Sequence, residues 1–294
     1  MTDTARQYEL FYVCGHPRTG TNWVRKLLNL HPKVFCDGES PFARFREIID
    51  AARAQYWSLC READYFEALE RGIAETIRAT TLTLARQKPG AECIGDHTPR
   101  LLWAYVPGAR LIHVTRDGRD VLVSWTFHQL STGFVMGEPF ASMMAAQREA
   151  FANDPHHFAA HPHELLACEG WVRTMAQNWS NFMNWDRDTV RRMGEGEITS
   201  VPVHAVRYEV LHADVEGERR KLYRFLGVDP EEAEPVQFES LTAPGRSGED
   251  PTSNFRAGRT GDWKTYFTDD VKRWFKEAAG EALVEFGYEK DGEW

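Results

Sequence analysis

The stretch Phe11-Tyr-Val-Cys-Gly-His-Pro-Arg-Thr-Gly-Thr-Asn-Trp-Val24 decides how the chain folds. Phe11, Tyr12 and Val13 form a short apolar run suited to a central parallel strand. Gly15 and Gly20 then allow close backbone approach in a tight loop. Thr21, Asn22 and Trp23 open a helix that runs through Leu27, Leu28 and Leu30 and stops before Pro32. A loop at a helix N-terminus aims unpaired N–H groups and a positive dipole end at an anion. Arg18 and Thr19 add donors, so the stretch predicts a phosphate cradle; an ordinary strand–turn–helix is the plainer alternative. Gly15 and Gly20 have the spacing of a Walker A loop, but Thr21 and Asn22 stand where lysine and a magnesium-binding hydroxyl would follow. The expected ligand is therefore an anion of phosphate shape held without a metal–triphosphate.

Composition narrows the class. The chain has 294 residues, with 35 Lys+Arg against 44 Asp+Glu, a net charge of −9. That balance argues against nucleic acid or an anionic membrane as a bulk partner, though a local basic pocket is compatible with it. No apolar run approaches membrane-spanning length, and the first nine residues contain no secretory segment. Cys14, Cys36, Cys60, Cys93 and Cys168 are scattered, odd in number and without a C-x-x-C pair. Reduced thiols in a cytoplasmic protein are expected, and no zinc site. With no repeat, low-complexity tract or linker, residues 1–294 read as a single α/β domain, a parallel sheet flanked by helices. Irregular segments fall near 131–168 and 241–268.

Beyond the first helix, Val34-Phe35-Cys36 reads as a second strand ending at Asp37-Gly38-Glu39, with both carboxylates read as solvated loop groups and a substrate-facing position at the strand's carboxyl end as the alternative. A helix is predicted from Tyr65 to Arg86, its apolar face formed by Phe66, Leu69, Ile73, Ile77 and Leu84. Cys93-Ile94-Gly95 is a third strand, followed by Asp96-His97-Thr98-Pro99 and a helix through Leu101, Leu102 and Trp103. Asp96 and His97 thus sit at a strand's carboxyl end, where ligands bind in parallel sheets. Both are candidates for proton transfer; a helix-capping carboxylate and a surface imidazole are the alternatives. Arg110 to Val114 is the fourth strand, and Val121 to Leu130 the next helix. Arg116 and Ser124 can converge on one anion, the guanidinium contributing about 1.5–3 kcal/mol. Arg119 is read as a surface ion pair with Asp117 or Asp120.

Residues 131–168 carry His156, His157, His161 and His163, but neither cysteine nor helical spacing supports a metal site. A mobile lid or acceptor-binding loop is the reading for that segment. Trp171, Met175, Trp179, Phe182 and Trp185 mark a helix from Glu169 to Arg192. Ile198 to Tyr208 is the fifth strand, Glu216 to Leu226 a helix capped by Gly227, and Asp269 to Phe286 the closing helix. Between the last two lies Asn254 to Lys264, whose glycines, arginines and lysine suit a loop folded over an anion; a solvated loop is the alternative.

Together these stretches resemble the sulfotransferase family that uses 3′-phosphoadenosine-5′-phosphosulfate (PAPS), from Phe11 to about Phe267, with the motifs in order. The resemblance implies a P-loop, nucleoside-kinase-like fold. It implies that Arg18, Thr19, Gly20, Thr21 and Asn22 hold the 5′-phosphosulfate and that Trp23 stacks on adenine. Arg116 and Ser124 would hold the 3′-phosphate, and Tyr208 would contact the base. Phe255, Arg256, Ala257 and Gly258 belong to the loop that covers the nucleotide. Arg18 stands where many members have lysine; its high pKa suits electrostatic stabilisation rather than proton donation. Asp96-His97 matches two patterns of the family, histidine at His97 in one branch and an acidic residue at Asp96 in others. His97 is the preferred base, since an ordinary imidazole pKa near about 6.5 suits neutral pH. Asp96 is the alternative base, or it orients His97. The expected reaction is metal-free sulfuryl transfer from PAPS to a hydroxyl or amine of a small-molecule acceptor, leaving 3′-phosphoadenosine-5′-phosphate (PAP). An ATP-dependent kinase of related fold and a non-catalytic nucleotide-binding protein remain open alternatives.

Overall fold

The structure, a computed structural model, describes residues 8–40, 42, 45, 48, 51, 63–98, 106–132, 137–197, 200–236, 250–253 and 256–294. The expected helix through Leu101, Leu102 and Trp103 lies outside the described residues, as do Cys60, Phe255 and residues 241–249. The chain groups into two compact units. One comprises Met1–His16, Gly20–Thr115 and Thr189–Val236; the other comprises Pro17–Thr19, Arg116–Asp188 and Gln237–Trp294.

The first unit holds a five-stranded sheet of β1 (Glu9–Gly15), β2 (Val34–Gly38), β3 (Cys93–His97), β4 (Arg110–Thr115) and β5 (Val203–Arg207). Its order is β2-β3-β1-β4-β5, and every neighbouring pair is parallel. Sequence explains the central place of β1. A strand covered on both faces must be apolar throughout, and Leu10 to Cys14 are each no more than 3% exposed. The sheet continues on opposite sides of β1, and in open parallel sheets ligands bind beyond the carboxyl end of the strand where this happens. The loop carrying Arg18 leaves β1 at that end. Leu10, Tyr12 and Cys14 pack with Ile73, Ile77, Ile94, Leu111 and Val201 in this unit's core. Burial pushes the Tyr12 hydroxyl up to about 12, and its oxygen lies 3.1 Å from Thr81 Oγ1.

Helices α1 (Thr21–Leu28) and α2 (Ala63–Thr83) follow β1 and β2 in sequence. α3 (Gly118–Ser131) follows β4. The segment expected to be irregular is largely helical where described, with α4 (Phe140–Met143), α5 (Ala145–Asn153) and α6 (His157–Ala160). Gly137, Pro139, Pro155 and Pro162 separate its short helices rather than abolishing them. α7 (Glu169–Gly194) comes next. β5 is shorter than expected: Tyr208 opens α8 (Tyr208–Ala213), which α9 (Val215–Leu226) follows. α10 (Trp263–Tyr266) and α11 (Asp269–Glu285) complete the helices.

In the second unit, the expected aromatic stripe does form core. Trp171, Met175 and Trp179 pack with Phe127, Phe158, Trp263 and Phe275, whereas Trp185 at its end is 39% exposed. Arg119 pairs with Asp117 as expected, but in the interior rather than on the surface, being only 2% exposed. Its guanidinium bonds Asp117 at 2.7 Å and Glu289 at 2.5 Å and lies 4.0 and 4.5 Å from the ring centroids of Trp263 and Trp294. Two carboxylates and two aromatic faces together replace water around a buried cation.

Two glycines test the packing in opposite directions. A Cβ on Gly95 would lie 2.5 Å from the Phe11 ring, whereas one on Gly72 in α2 would meet nothing within 4 Å. Gly95→Ala is expected to lower stability by about 1–3 kcal/mol through overpacking. Gly72→Ala is expected to raise it by about 1 kcal/mol through helix propensity. Urea unfolding midpoints measure both signs.

Candidate active site

The loop after β1 is shaped by backbone more than by side chains. Gly20 sits at φ 105° as the N-cap of α1, and its carbonyl accepts from the N–H groups of Trp23 at 2.9 Å and Val24 at 3.1 Å. A Cβ there would meet Tyr208 Cδ2 at 2.6 Å, so glycine is required twice over. Arg18 adopts φ 75°, the left-handed region, without being glycine. Thr19 and Thr21 are buried. Asn22 turns its side-chain oxygen to Arg25 Nε at 3.1 Å. Trp23 and Tyr208 meet edge to face, 5.4 Å between centroids, both nearly fully buried. Within the first unit, Gly20, Trp23 and Tyr208 therefore stand together.

The second unit gathers arginines. Arg18 Nε donates to Ser124 Oγ at 3.2 Å. The two nitrogens at the head of Arg116 donate to carbonyls, Nη1 to Arg18 at 3.3 Å and Nη2 to Arg259 at 2.9 Å. Arg18, Arg116 and Ser124, far apart in sequence, thus form one cluster, and the Arg259 backbone carbonyl joins it. Arg256 is directed elsewhere. Its guanidinium pairs with Asp262, donates to Tyr266 Oη at 3.2 Å and lies 4.1 Å from the Phe127 ring centroid. Ala257 is buried beside it, and Gly258 has φ 55°. Asp120 is a further residue whose importance the motifs did not reveal. Its Oδ2 accepts from Gly261 N at 2.8 Å and its Oδ1 from Trp263 N at 2.9 Å. Burial pushes its carboxyl above the ordinary range, against the lowering influence of Arg116 and the two amides. Its place four residues from both Arg116 and Ser124 is the sequence signal that could have marked it.

At the end of β3, the two proton-transfer candidates are neighbours in sequence but point to opposite faces, as strand residues must. Asp96 is fully buried and its oxygens are occupied. Oδ2 accepts from Ser40 Oγ at 2.6 Å, and Oδ1 from Thr98 Oγ1 at 2.5 Å. His97 is 4% exposed, and its Nδ1 lies 3.3 Å from the Asp37 carbonyl oxygen. A carbonyl only accepts, so this contact selects the Nδ1–H tautomer and leaves a lone pair on Nε2. Among the described residues Nε2 is buried without a hydrogen-bond partner, with Glu39 Oε1 at 3.5 Å. Gly38 makes room for the ring, because a Cβ there would lie 1.6 Å from Nδ1.

The histidine-rich segment is tied by one carboxylate. Glu164 lies 2.8 Å from His157, 3.7 Å from His163 and 4.0 Å from His161, and the His157 hydrogen bond holds its carboxyl below the ordinary range. Among the described residues no group of three or more ligating side chains is arranged to hold a metal ion. No helix among them is long and apolar enough to cross a membrane.

Gly38→Ala is expected to evict His97 from its seat. Nitrogen-detected NMR of the imidazole should show the Nδ1–H tautomer in the wild type and its loss in the variant. An unchanged His97 signal in Gly38→Ala would contradict the seat that Gly38 provides, and an Nε2–H signal in the wild type would contradict the tautomer assignment.

No curated protein matches the chain by sequence. Among solved structures it is similar to a mouse sulfotransferase complexed with PAP, at 16% identity and TM-score 0.47, over 95% of this chain and 86% of that one. It is also similar to retinol dehydratase in complex with androsterone and inactive cofactor PAP, at 17% identity and TM-score 0.49, over 93% and 80%. A third likeness is to a sulfotransferase from Alicyclobacillus acidocaldarius, at 14% identity and TM-score 0.40, over 94% and 95%. A model of the sulfotransferase family matches residues 11–232, three quarters of the sequence. The chain belongs to the sulfotransferase family.

Proposed function

We propose that this enzyme transfers a sulfuryl group from PAPS to a hydroxyl or amine of a small-molecule acceptor. The observation that carries the reading is the joining of Arg18 to Ser124 and of Arg18 to Arg116, since these residues match the family's 5′-phosphosulfate and 3′-phosphate segments. Two guanidinium groups and a hydroxyl suit a ligand with two anionic ends. Thr19, Gly20, Thr21 and Asn22 complete the loop, with the α1 amides aimed at the 5′ group. Trp23 and Tyr208 serve the base. The Arg256–Gly258 segment covers the 3′ end, with Phe255 beside it outside the described residues. We further read residues 1–294 as one sulfotransferase domain, because the family match runs through segments of both units. The thiols of Cys14, Cys36, Cys93 and Cys168, none of them joined in a disulfide among the described residues, favour a cytoplasmic setting, and the net charge of −9 disfavours nucleic acid as a partner.

In this mechanism His97 is the base. Its Nδ1–H is held by the Asp37 carbonyl, and Nε2 takes the acceptor's proton as the acceptor oxygen or nitrogen bonds to sulfur. The bond from sulfur to the nucleotide phosphate oxygen breaks in the same step, and its electron pair stays on that oxygen. Arg18 and the loop amides stabilise the charge left there. Glu39 lies where the positive charge of the imidazolium appears. Asp96, its oxygens occupied by Ser40 and Thr98, supports the strand end rather than taking the proton. Positioning and electrostatics supply the rest.

Thermal shift without magnesium tests the donor: PAP should stabilise the protein more than ATP or AMP. A magnesium-dependent preference for ATP would move the reading to a kinase. Arg116→Ala should weaken PAP binding about ten- to a hundredfold by calorimetry, the loss of one charge-assisted guanidinium–phosphate pair. His97→Ala should lose at least about a hundredfold in kcat while PAP affinity stays unchanged. Near-native turnover in that variant would return Asp96 to the role of base.

A further inference from the structure

Asp120 is in an unusual position for a carboxylate. Its side chain is fully buried, and Arg116 Nη2 lies 3.9 Å away, beyond hydrogen-bond range. A negative charge beside an arginine that must receive a phosphate would weaken that arginine if it acted by charge alone. Its hydrogen bonds point to a different task. Each oxygen accepts one backbone N–H, from Gly261 and from Trp263. These two amides flank Asp262, whose own carboxylate pairs with Arg256. Two residues before Gly261 is Arg259, whose carbonyl accepts from Arg116 Nη2. The loop from Arg256 to Trp263 is thus bound to the first turn of α3 by one carboxylate. The same loop supplies the carbonyl that sets the rotation of the Arg116 guanidinium.

We propose that Asp120 is the positioning residue of the nucleotide site: it clamps the 259–263 loop so that the Arg259 carbonyl orients Arg116 toward the 3′-phosphate. The inference rests on the PAPS reading above and adds to it a residue that touches no part of the donor. Arg116 donates through Nη1 and Nη2 to two carbonyls, from Arg18 and Arg259, and both must stay in place for its plane to be defined. The first carbonyl is held by a loop that glycine shapes, the second by Asp120.

The test compares wild type and Asp120→Asn in calorimetry with PAP and with AMP, which lacks the 3′-phosphate. Asn keeps one acceptor and loses the other. The expected outcome is a loss of about tenfold in PAP affinity with AMP affinity unchanged, and a matching rise in KM for PAPS with kcat within about twofold. A purely structural role would lower kcat and both affinities together. Wild-type amide hydrogen exchange gives a measure independent of any variant's folding. The Gly261 and Trp263 amides should be protected as strongly as those inside α3, even without nucleotide. Fast exchange at either amide, or an Asp120→Asn protein with undiminished PAP affinity, would overturn the proposal. A wild type that prefers neither PAP nor PAPS would instead overturn the donor assignment, and the functional part of this inference with it.

Discussion

One guanidinium holds two distant loops in register. Arg116 leaves the end of β4 and donates to the Arg18 carbonyl from the loop after β1 and to the Arg259 carbonyl near the end of the chain. A planar fork with donors in fixed directions can do this, and an ammonium on a flexible stem cannot. Both of these acceptors are neutral carbonyls, and the Asp120 carboxylate stands 3.9 Å from Nη2, in ion-pair range but too far to take a hydrogen bond. That arrangement explains why the surrounding chain is specialised. Arg18 has a left-handed backbone, Asp120 holds the 259–263 loop, and Arg256 is drawn off to Asp262.

Local patterns in the sequence revealed much of this arrangement. The unbroken apolar run from Phe11 to Val13 announced a strand buried on both faces, and β1 is the middle strand of its sheet. The spacing of Arg116 and Ser124 pointed to one cluster, and Arg18 bonds to both of them. The long periodic helices α7 and α11 were legible within two residues at their ends, and α2 within three. The helices between Gly137 and Cys168 were not, because elements of four to nine residues are too short for a 3.6-residue period to emerge.

Pairings between charges far apart in sequence left no local trace. Arg119 looked like a surface cation beside two aspartates, yet Glu289, Trp263 and Trp294 enclose it from the other end of the chain. Arg256 looked like a cation presented to a ligand, and in the fold it is packed against Phe127 and bound to Asp262. Glu39 read as a solvated loop carboxylate and is one, with its side chain 69% exposed, yet it also lies within ion-pair distance of a buried imidazole. The left-handed φ of Arg18 was equally hidden, since no glycine marks it. In each case the deciding partner comes from tertiary structure, and a residue's type says only that a partner is needed.

The alternation at the end of β3 has an evolutionary consequence. Asp96 and His97 occupy opposite faces of one strand, each with its own ring of contacts. A shift of one residue in the pairing of β3 would carry Asp96 to the place of His97 in one direction, or His97 to the place of Asp96 in the other, because strand side chains repeat every second position. Two kinds of proton acceptor, carboxylate and imidazole, are therefore separated in this fold by a single step of register. Passing from one to the other takes both the slide of the strand and a change in the receiving face, since Gly38 seats the imidazole and Ser40 and Thr98 hold the carboxylate.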